Sequence, residues 1–302
     1  MRQTSALLVR PKCRPTKTIR AAALLAVVAV GVAGCGSSAK DAASTVSTAK
    51  TFTAGSTMEK IQKRGKLIVG VKFDQPLFGL KNPVNGKLEG FDIEIARMIA
   101  KDITGSDQNV EYIEAVTANR EAFLQQGKVD LVIATYAVSD ERKKQVGFAG
   151  PYYDTGVSIM VRKGDTAIKG AADLADRQVC TVTGAKSADL LPTLQPKAKL
   201  VKFSTYSNCA QALKEKRVDA VVTGEAILIG IVTQNADDFE MVEGYLSDEQ
   251  DAIGFPKDDT ALHDYLDGFL GTIFANGGWL KAYQATVGTA THKTPAPPKI
   301  SL

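Results

Sequence analysis

Residues 129–153 combine a short apolar run with an arginine that could bind an anion. The run at 131–133 has the β-branched composition of a buried strand, and the small residue Thr135 at its end leaves backbone N–H groups uncovered. Ser139 is a favourable N-cap for a following helix, which would bring Arg142 close to the strand end. A guanidinium offers a planar fork of donors that matches a carboxylate. The stretch predicts a receptor for a small carboxylate, and the alternative is an ordinary strand–loop–helix with a solvated arginine.

Alternating strand and helix patterns surround this stretch. Residues 66–133 predict a β-α-β-α-β unit with a mainly parallel sheet, and a second alternation begins at Val157. Two crossings, near 150–155 and 255–258, would join the units and leave a cleft between them. The predicted fold is therefore α/β with two lobes, the first formed by residues 58–153 and 258–290 and the second by residues 154–257.

The N-terminal segment has the composition of an export signal. Residues 1–34 carry six basic and no acidic side chains, and residues 21–32 are apolar except for Gly31. Val32-Ala33-Gly34-Cys35 resembles a lipobox, which predicts a signal peptide over residues 1–34 and acylation of Cys35; the alternative is a non-lipidated secretory signal. Residues 35–57 would form a flexible tether, and the proline-rich residues 291–302 a disordered tail.

The charge and histidine content exclude some classes of function. Of 37 basic residues, six belong to the predicted signal, which leaves 31 against 33 acidic residues and a net charge of −2. The basic balance of the whole chain therefore gives no support for nucleic-acid binding. Because the chain has only two histidines, a histidine-based metal site or catalytic triad has few candidate residues, and we expect no metal and no cofactor.

Two cysteines remain after the signal and the lipid site are set aside. An even pair in an exported chain predicts a disulfide between Cys180 and Cys209, which would close a loop of about 30 residues and stabilise the fold by roughly 3 kcal/mol.

Four motifs together resemble a known family. They are GFDIEIA (90–96), TANREAFLQQGKVDLVIATYAVSDERK (117–143), FAGPYY (148–153) and VDAVVTGEAIL (218–228). In this order they resemble the bacterial extracellular solute-binding proteins of family 3, the polar amino-acid-binding lipoproteins of ABC importers, and most closely the glutamate/aspartate/glutamine branch. The resemblance covers residues 58–288 and implies the type II periplasmic-binding-protein fold.

The resemblance assigns roles in the first lobe. Arg142 would hold the ligand α-carboxylate with the Thr135 hydroxyl and the Ala137 N–H. The other implied contacts are Arg120 and Lys72 on a side-chain carboxylate and Phe78 as an apolar wall. Lys72 and Arg120 could instead be surface cations. Converging cations favour a dicarboxylate over a neutral ligand.

The second lobe departs from the family pattern at two places. Gly224 stands where an aspartate usually pairs with the ligand ammonium, and Glu225 follows it. Glu225 could replace that aspartate or could simply favour a helix N-terminus. Lys186 replaces a hydroxyl residue before Ser187, and its side chain could contact a carboxylate or point into solvent. The assignment to an α-amino acid is thus less firmly based than the assignment to a dicarboxylate.

The resemblance implies a binding protein rather than an enzyme. A monomeric, lipid-anchored receptor on the outer face of the cell membrane would close its lobes over glutamate or aspartate, or over glutamine, and present it to an ABC permease driven by an ATPase. One alternative is an exported dehydratase of the same fold, with Glu225 as general acid and a prephenate-like substrate. Another is a sensor that reports the ligand to a membrane receptor through the same site.

Overall fold

The computed structural model describes residues 50–302. The predicted signal peptide, Cys35 and most of the predicted tether lie outside the described residues. Within the described range, no helix is long and apolar enough to cross a membrane.

The described residues form twelve β-strands and ten α-helices. The strands are β1 Leu67–Val71, β2 Asp74–Gln75, β3 Gly79–Lys81, β4 Leu88–Glu89, β5 Val110–Glu114, β6 Leu131–Val132, β7 Gly147–Arg162, β8 Gln178–Val182, β9 Lys199–Phe203, β10 Ala220–Gly224, β11 Phe239–Met241 and β12 Ser247–Phe255. The helices are α1 Thr57–Arg64, α2 Phe91–Thr104, α3 Arg120–Gln125, α4 Asp140–Lys143, α5 Lys186–Leu194, α6 Tyr206–Lys214, α7 Glu225–Gln234, α8 Thr260–Ala275, α9 Gly278–Ala285 and α10 Gly288–Thr291. Short 3-10 helices span Thr117–Asn119 and Ala171–Leu174.

Two groups of parallel strands flank a pair of long antiparallel strands. The main sheet has the order β5-β1-β6-β12-β7-β10-β8-β9, with β11 paired to β7. Strands β5, β1 and β6 are parallel, as are β10, β8 and β9, whereas β7 and β12 run antiparallel to each other. One end of β12 pairs with β6, and the far half of β7 pairs with β10. Strands β7 and β12 are therefore the two crossings between the lobes of a two-lobed α/β fold.

Strand β7 is longer than the sequence predicts. Gly150-Pro151 indicated a break before a strand at 157–161, but β7 runs without interruption over 16 residues. Its backbone polar groups at Gly150 are satisfied from outside the sheet. The Gly150 N–H donates to Asp267 at 2.9 Å, and the Gly150 carbonyl accepts from Ser301 at 2.9 Å. Hydrogen bonds to residues distant in sequence thus allow β7 to continue across Gly150-Pro151.

The C-terminal helices return to the core of the first lobe. Phe91 of α2 packs edge-on against Trp279 and Tyr283 of α9, and the Trp279 indole N–H donates to the Tyr152 carbonyl at 2.8 Å. The first lobe is therefore built from two separate parts of the chain. The lobe boundaries given above stay a prediction.

The C-terminal residues, predicted as a disordered tail, contact the first lobe in the structure. Residues 292–302 have no regular secondary structure, yet Ile300 and Leu302 pack against hydrophobic clusters of the first lobe. The Leu302 carbonyl lies 3.0 Å from His263 Nε2, and its N–H donates to Gly150 at 3.2 Å. Proline-rich composition indicated disorder, whereas two apolar side chains and these hydrogen bonds fix the segment on the fold.

The predicted disulfide is present. Cys180 of β8 and Cys209 of α6 are joined, with their Cα atoms 5.7 Å apart. The bond links the second-lobe sheet to a helix whose Tyr206 lines the cavity described below.

Candidate functional site

A small cavity lies between the two lobes. About 20 Å³ of it is open to water, which is room for one water molecule, and its walls come from both lobes. Six of the nine ligand-binding residues predicted from sequence line it: Arg120, Thr135, Ala137, Arg142, Lys186 and Ser187. The lobes are therefore closed on each other, and a larger molecule would enter only if they separated.

Arg120 lies under one wall of the cavity with its charge largely removed from water. Its Nη1 donates to the carbonyls of Ala134 and Thr135 at 3.2 and 3.4 Å, and the guanidinium stacks over the Tyr136 ring at 4.1 Å from the centroid. Burial lowers the pKa of Arg120 to about 10, with a contribution from the nearby Arg142, so the side chain stays charged at neutral pH. A buried, oriented cation of this kind suits a carboxylate.

Arg142 bridges the two lobes. Ser139 caps the short helix α4 and fixes its start. Arg142 Nε lies 3.3 Å from a Glu121 carboxylate oxygen, Nη1 donates to the Ala137 carbonyl, and Nη2 donates to the Gly184 carbonyl of the second lobe at 2.7 Å. A guanidinium has five N–H groups, so two remain for another acceptor. Arg142 is thus partly engaged by protein atoms in the closed arrangement.

Thr135 adopts a backbone conformation that β-branched residues rarely take. Its φ is +42°, in the left-handed region, and such strain costs about 1–3 kcal/mol. The Thr135 N–H donates to the buried Asp92 carboxylate at 2.9 Å, and its hydroxyl donates to Gln75 at 2.7 Å. The Ala137 N–H bonds the Thr135 carbonyl at 3.2 Å. Both donors predicted to hold the ligand α-carboxylate are therefore bonded within the protein when the lobes are closed.

Asp92 is itself held by two donors. It accepts from Tyr152 at 2.7 Å in addition to Thr135, and burial raises its pKa to about 6 against these hydrogen bonds. Its place under the loop at 134–137 makes it a support for the backbone beside the cavity.

Lys72 lies one layer behind the cavity. Its Nζ donates to the Thr117 hydroxyl at 2.8 Å, and Thr117 in turn lines the cavity. Burial, followed by the Arg120 charge, lowers the pKa of Lys72 to about 7. Lys72 therefore changes its charge near neutral pH, and it would reach a ligand through Thr117.

The second lobe contributes a hydroxyl network and a lysine. Ser187 Oγ lies 2.6 Å from Thr181 Oγ1, and the Thr223 hydroxyl donates to Tyr206 at 2.6 Å. Lys186, at the start of α5, donates to the Asp248 carbonyl at 3.4 Å and lines the cavity on the second-lobe side. Lys186 and the first-lobe arginines thus face one another across the cleft.

Besides Lys72, two further residues predicted to contact the ligand do not line the cavity. Phe78 is fully buried and packs edge-on against Phe91 and Tyr153, because the turn that carries it folds into the first-lobe core. Glu225 begins α7, and its carboxylate accepts from the Tyr245 hydroxyl outside the cavity. In this arrangement neither Phe78 nor Glu225 lines the cavity, and their contacts with a ligand stay predictions.

The acidic side chain that lines the cavity is Glu249, which was not among the residues predicted from sequence. A Cβ built on Gly224 would meet Glu249 Oε1 at 2.8 Å, so the Glu249 carboxylate fills the space beside the glycine. Burial raises the pKa of Glu249, while Lys186, Arg142 and Arg120 act in the opposite direction. The available signal was the two-residue spacing of Glu249 and Asp251, which places both side chains on one face of a strand.

The described part of the chain contains no cluster of side chains suited to binding a metal ion. Among residues 50–302, no group of three or more His, Cys, Asp or Glu side chains is placed to hold a metal ion.

The fold and the site define a two-lobed receptor whose central cavity is surrounded by charged side chains. Residues 67–289 match the family described as bacterial extracellular solute-binding proteins, family 3. The chain belongs to this family.

Similar proteins of this family carry names that state a ligand. A glutamine-binding protein of Geobacillus stearothermophilus is 37% identical over 242 residues, which cover 80% of this chain and 92% of that protein. The glutamate-binding protein GluB of Corynebacterium efficiens is 33% identical over 236 residues, covering 75% and 80%.

Solved structures agree on the fold. A solute receptor for L-cysteine from Neisseria gonorrhoeae has a TM-score of 0.74 and 31% identity, covering 78% of this chain and 95% of that one. An ancestral arginine-binding protein bound to glutamine has a TM-score of 0.70 and 36% identity, covering 74% and 99%.

Proposed function

We propose that this protein is the substrate-binding component of an ABC importer and that it binds an acidic or polar amino acid, namely glutamate, aspartate or glutamine. The observation that supports this proposal most strongly is the cavity between the lobes, where Arg120, Arg142 and Lys186 face Glu249. Cations on several sides suit carboxylates, and one buried carboxylate suits an ammonium group. The names of the glutamine- and glutamate-binding relatives agree with this choice.

The ligand would be oriented by the distribution of these charges. The α-carboxylate would take the two free N–H groups of Arg142 together with Lys186, and the ligand side chain would point toward Arg120 and Thr117. Glu249 would accept from the ammonium in place of an aspartate at position 224. Because these bonds are formed between lobes and away from water, each would contribute about 1.5–3 kcal/mol.

Lobe closure would provide the signal for transport. Closed lobes present a different outer surface from open lobes, and a membrane permease would recognise the closed form. We assign the first lobe to residues 58–153 and 258–290 and the second to residues 154–257. A sensor that reports the ligand to a membrane receptor would use the same site.

We infer that the chain performs no catalysis. The dehydratase alternative required Glu225 as a general acid beside the bound substrate, and Glu225 pairs with Tyr245 outside the cavity. Prephenate turnover measured with purified protein would contradict this inference.

We also infer an extracytoplasmic location and a lipid anchor at Cys35, with residues 1–34 as the signal peptide and residues 35–57 as the tether. Metabolic labelling with palmitate is expected to mark the wild type and a Cys13→Ser control, but not Cys35→Ser. Equal labelling of Cys35→Ser and wild type would contradict the anchor.

Calorimetric titration with a ligand panel tests the proposed function. The chain from Gly36 is titrated with glutamate, aspartate, glutamine, arginine and glutarate. We expect tight binding of one or more of the first three, and Arg120→Met is expected to weaken it by about 1.5–3 kcal/mol, roughly 10- to 150-fold.

Arg97→Met is the matched control for this titration, because Arg97 pairs with Glu94 on the surface of α2. Its affinity is expected to equal that of the wild type. The proposal fails if no amino acid in the panel binds, or if arginine binds most tightly.

A further inference from the structure

Strand β12 carries two buried acidic side chains on the same face. Glu249 and Asp251 are separated by one residue, and side chains alternate along a strand, so both face the cavity side of the sheet. Their residues are 8% and 1% exposed. Glu249 lines the central cavity, and Asp251 forms an isolated backbone bridge with Ala137, which lines it as well.

The buried carboxylate of Asp251 has no hydrogen-bond partner among the described residues. Neither of its carboxylate oxygens has a hydrogen-bond partner there. Burying an isolated carboxylate is strongly unfavourable, so the group must either hold a proton or meet a cation. Asp251 is thus a polar side chain that lacks a partner immediately beside the ligand cavity.

The charged groups around Asp251 come from several elements. Glu249 of β12 and Asp92 of α2 disfavour its ionisation, and Arg120 of α3 and Arg142 of α4 favour it. Tyr153 of β7 lies opposite Asp251 in the sheet, and the Asp251 charge acts on both Tyr152 and Tyr153. Burial, with Glu249 the largest of the charges, raises the pKa of Asp251 well above its usual range.

We propose that Glu249 and Asp251 act as one proton-exchanging acceptor for the ligand ammonium, so that binding an amino acid releases a proton from the pair. This inference rests on the function proposed above. In the exchange, one carboxyl group of the pair loses its proton to solvent and the ammonium group donates hydrogen bonds to the resulting carboxylates. No covalent bond to carbon changes.

The exchange gives the site a means of selecting ligands. A ligand with an ammonium group supplies the positive charge that the ionised pair needs, whereas a dicarboxylate without nitrogen leaves the pair protonated. Gly224 is part of this arrangement, because any side chain there would displace the Glu249 carboxylate. Asp251 is therefore a specificity-determining residue for amino acids over plain dicarboxylic acids.

Proton release is measured by calorimetry in two buffers that differ in ionisation enthalpy, with L-glutamate and L-glutamine as probes. At pH values above the ordinary carboxyl pKa of about 4, the wild type is expected to release up to about one proton more per bound ligand than Asp251→Asn. Lys72 contributes equally to both proteins, so the difference reports the pair. Wild-type affinity is expected to decrease as the pH is lowered, because the pair then holds its proton more tightly. The decrease should reach at most about tenfold per pH unit, and the affinity of Asp251→Asn should vary less.

Asp248→Asn is the matched control, because Asp248 is the exposed neighbour on the same strand. It is expected to release as many protons as the wild type. Glu249→Gln is a second test, with both lower affinity and lower proton release expected. Equal proton release by wild type, Asp251→Asn and Glu249→Gln, with ligand still bound, overturns this proposal alone. Absence of binding by the wild type to every amino acid overturns the proposed function and this proposal with it.

Discussion

At the scale of single residues, burial lowers the pKa of Arg120 and of Lys72, but only Arg120 stays fully charged near neutral pH. Arg120 has its pKa lowered to about 10 and stays charged, whereas Lys72 has its pKa lowered to about 7 and does not stay fully charged above neutral pH. A guanidinium tolerates removal from water better than an ammonium because its charge is delocalised and weakly hydrated. The two residues are therefore not interchangeable in this site.

Because of Lys72, the free energy of unfolding is expected to increase as the pH rises above neutral. In the unfolded chain Lys72 holds its proton up to its usual pKa of 10.5, whereas in the folded protein it loses the proton above about 7. The unfolded state therefore binds more protons between these values, and the free energy of unfolding should rise with pH by no more than about 5 kcal/mol.

Urea unfolding of the ligand-free protein between about pH 7 and 10 checks this prediction. Lys72→Met is expected to show a smaller rise with pH than the wild type, and the exposed Lys87→Met serves as the control. Identical pH profiles for Lys72→Met and the wild type would contradict it.

Sequence reasoning located the cations of the site better than its acids. The residues around Arg142 were enough to predict its place beside an anion site, whereas the expectation for Arg120 came from the family resemblance; both line the cavity. Glu249 is brought to Gly224 by the pairing of β12 with β7, which joins segments distant in the chain. Glu225 is adjacent to Gly224 in sequence, but adjacency does not fix the direction of a side chain, and its carboxylate accepts from Tyr245 outside the cavity.

At the scale of elements, the contact between α7 and the segment around β2 holds the lobes together. Gly230 of α7 approaches Pro76 so closely that an added Cβ would lie 2.0 Å from the Pro76 carbonyl oxygen. Asp74 accepts from the N–H of Ser207 at 3.2 Å, near the start of α6. In the closed arrangement these contacts join the second-lobe helices to a first-lobe loop.

Gly230→Ala is expected to oppose closure without changing the cavity. Relieving the overlap requires the lobes to move apart, at about 1–3 kcal/mol, so ligand affinity should fall roughly 5- to 150-fold. Calorimetry measures the affinity, and circular dichroism checks that the fold is kept.

Gly268→Ala is the matched control because it lies in helix α8, where an added Cβ meets nothing within 4 Å. It should leave affinity unchanged and raise stability by about 0.5–1 kcal/mol. A folded Gly230→Ala protein with wild-type affinity would show that this contact does not limit closure.

At the scale of the whole molecule, the alternation of strand and helix patterns was sufficient to predict two α/β lobes with two crossings. It was not sufficient for the crossings themselves. Strand β7 continues through Gly150-Pro151, and the C-terminal residues pack on the first lobe, because contacts from Asp267, His263 and two apolar side chains stabilise them. Local composition does not contain such long-range contacts.

The central claim is that an amino acid binds between the lobes with its carboxylate on the arginines and its ammonium on Glu249. A crystal structure with the tightest-binding amino acid of the panel tests this directly. We expect the ligand carboxylate within hydrogen-bond distance of Arg142 or Lys186 and the ammonium within that distance of Glu249. A ligand bound outside the cleft, or an ammonium group directed toward Glu225, would contradict the account.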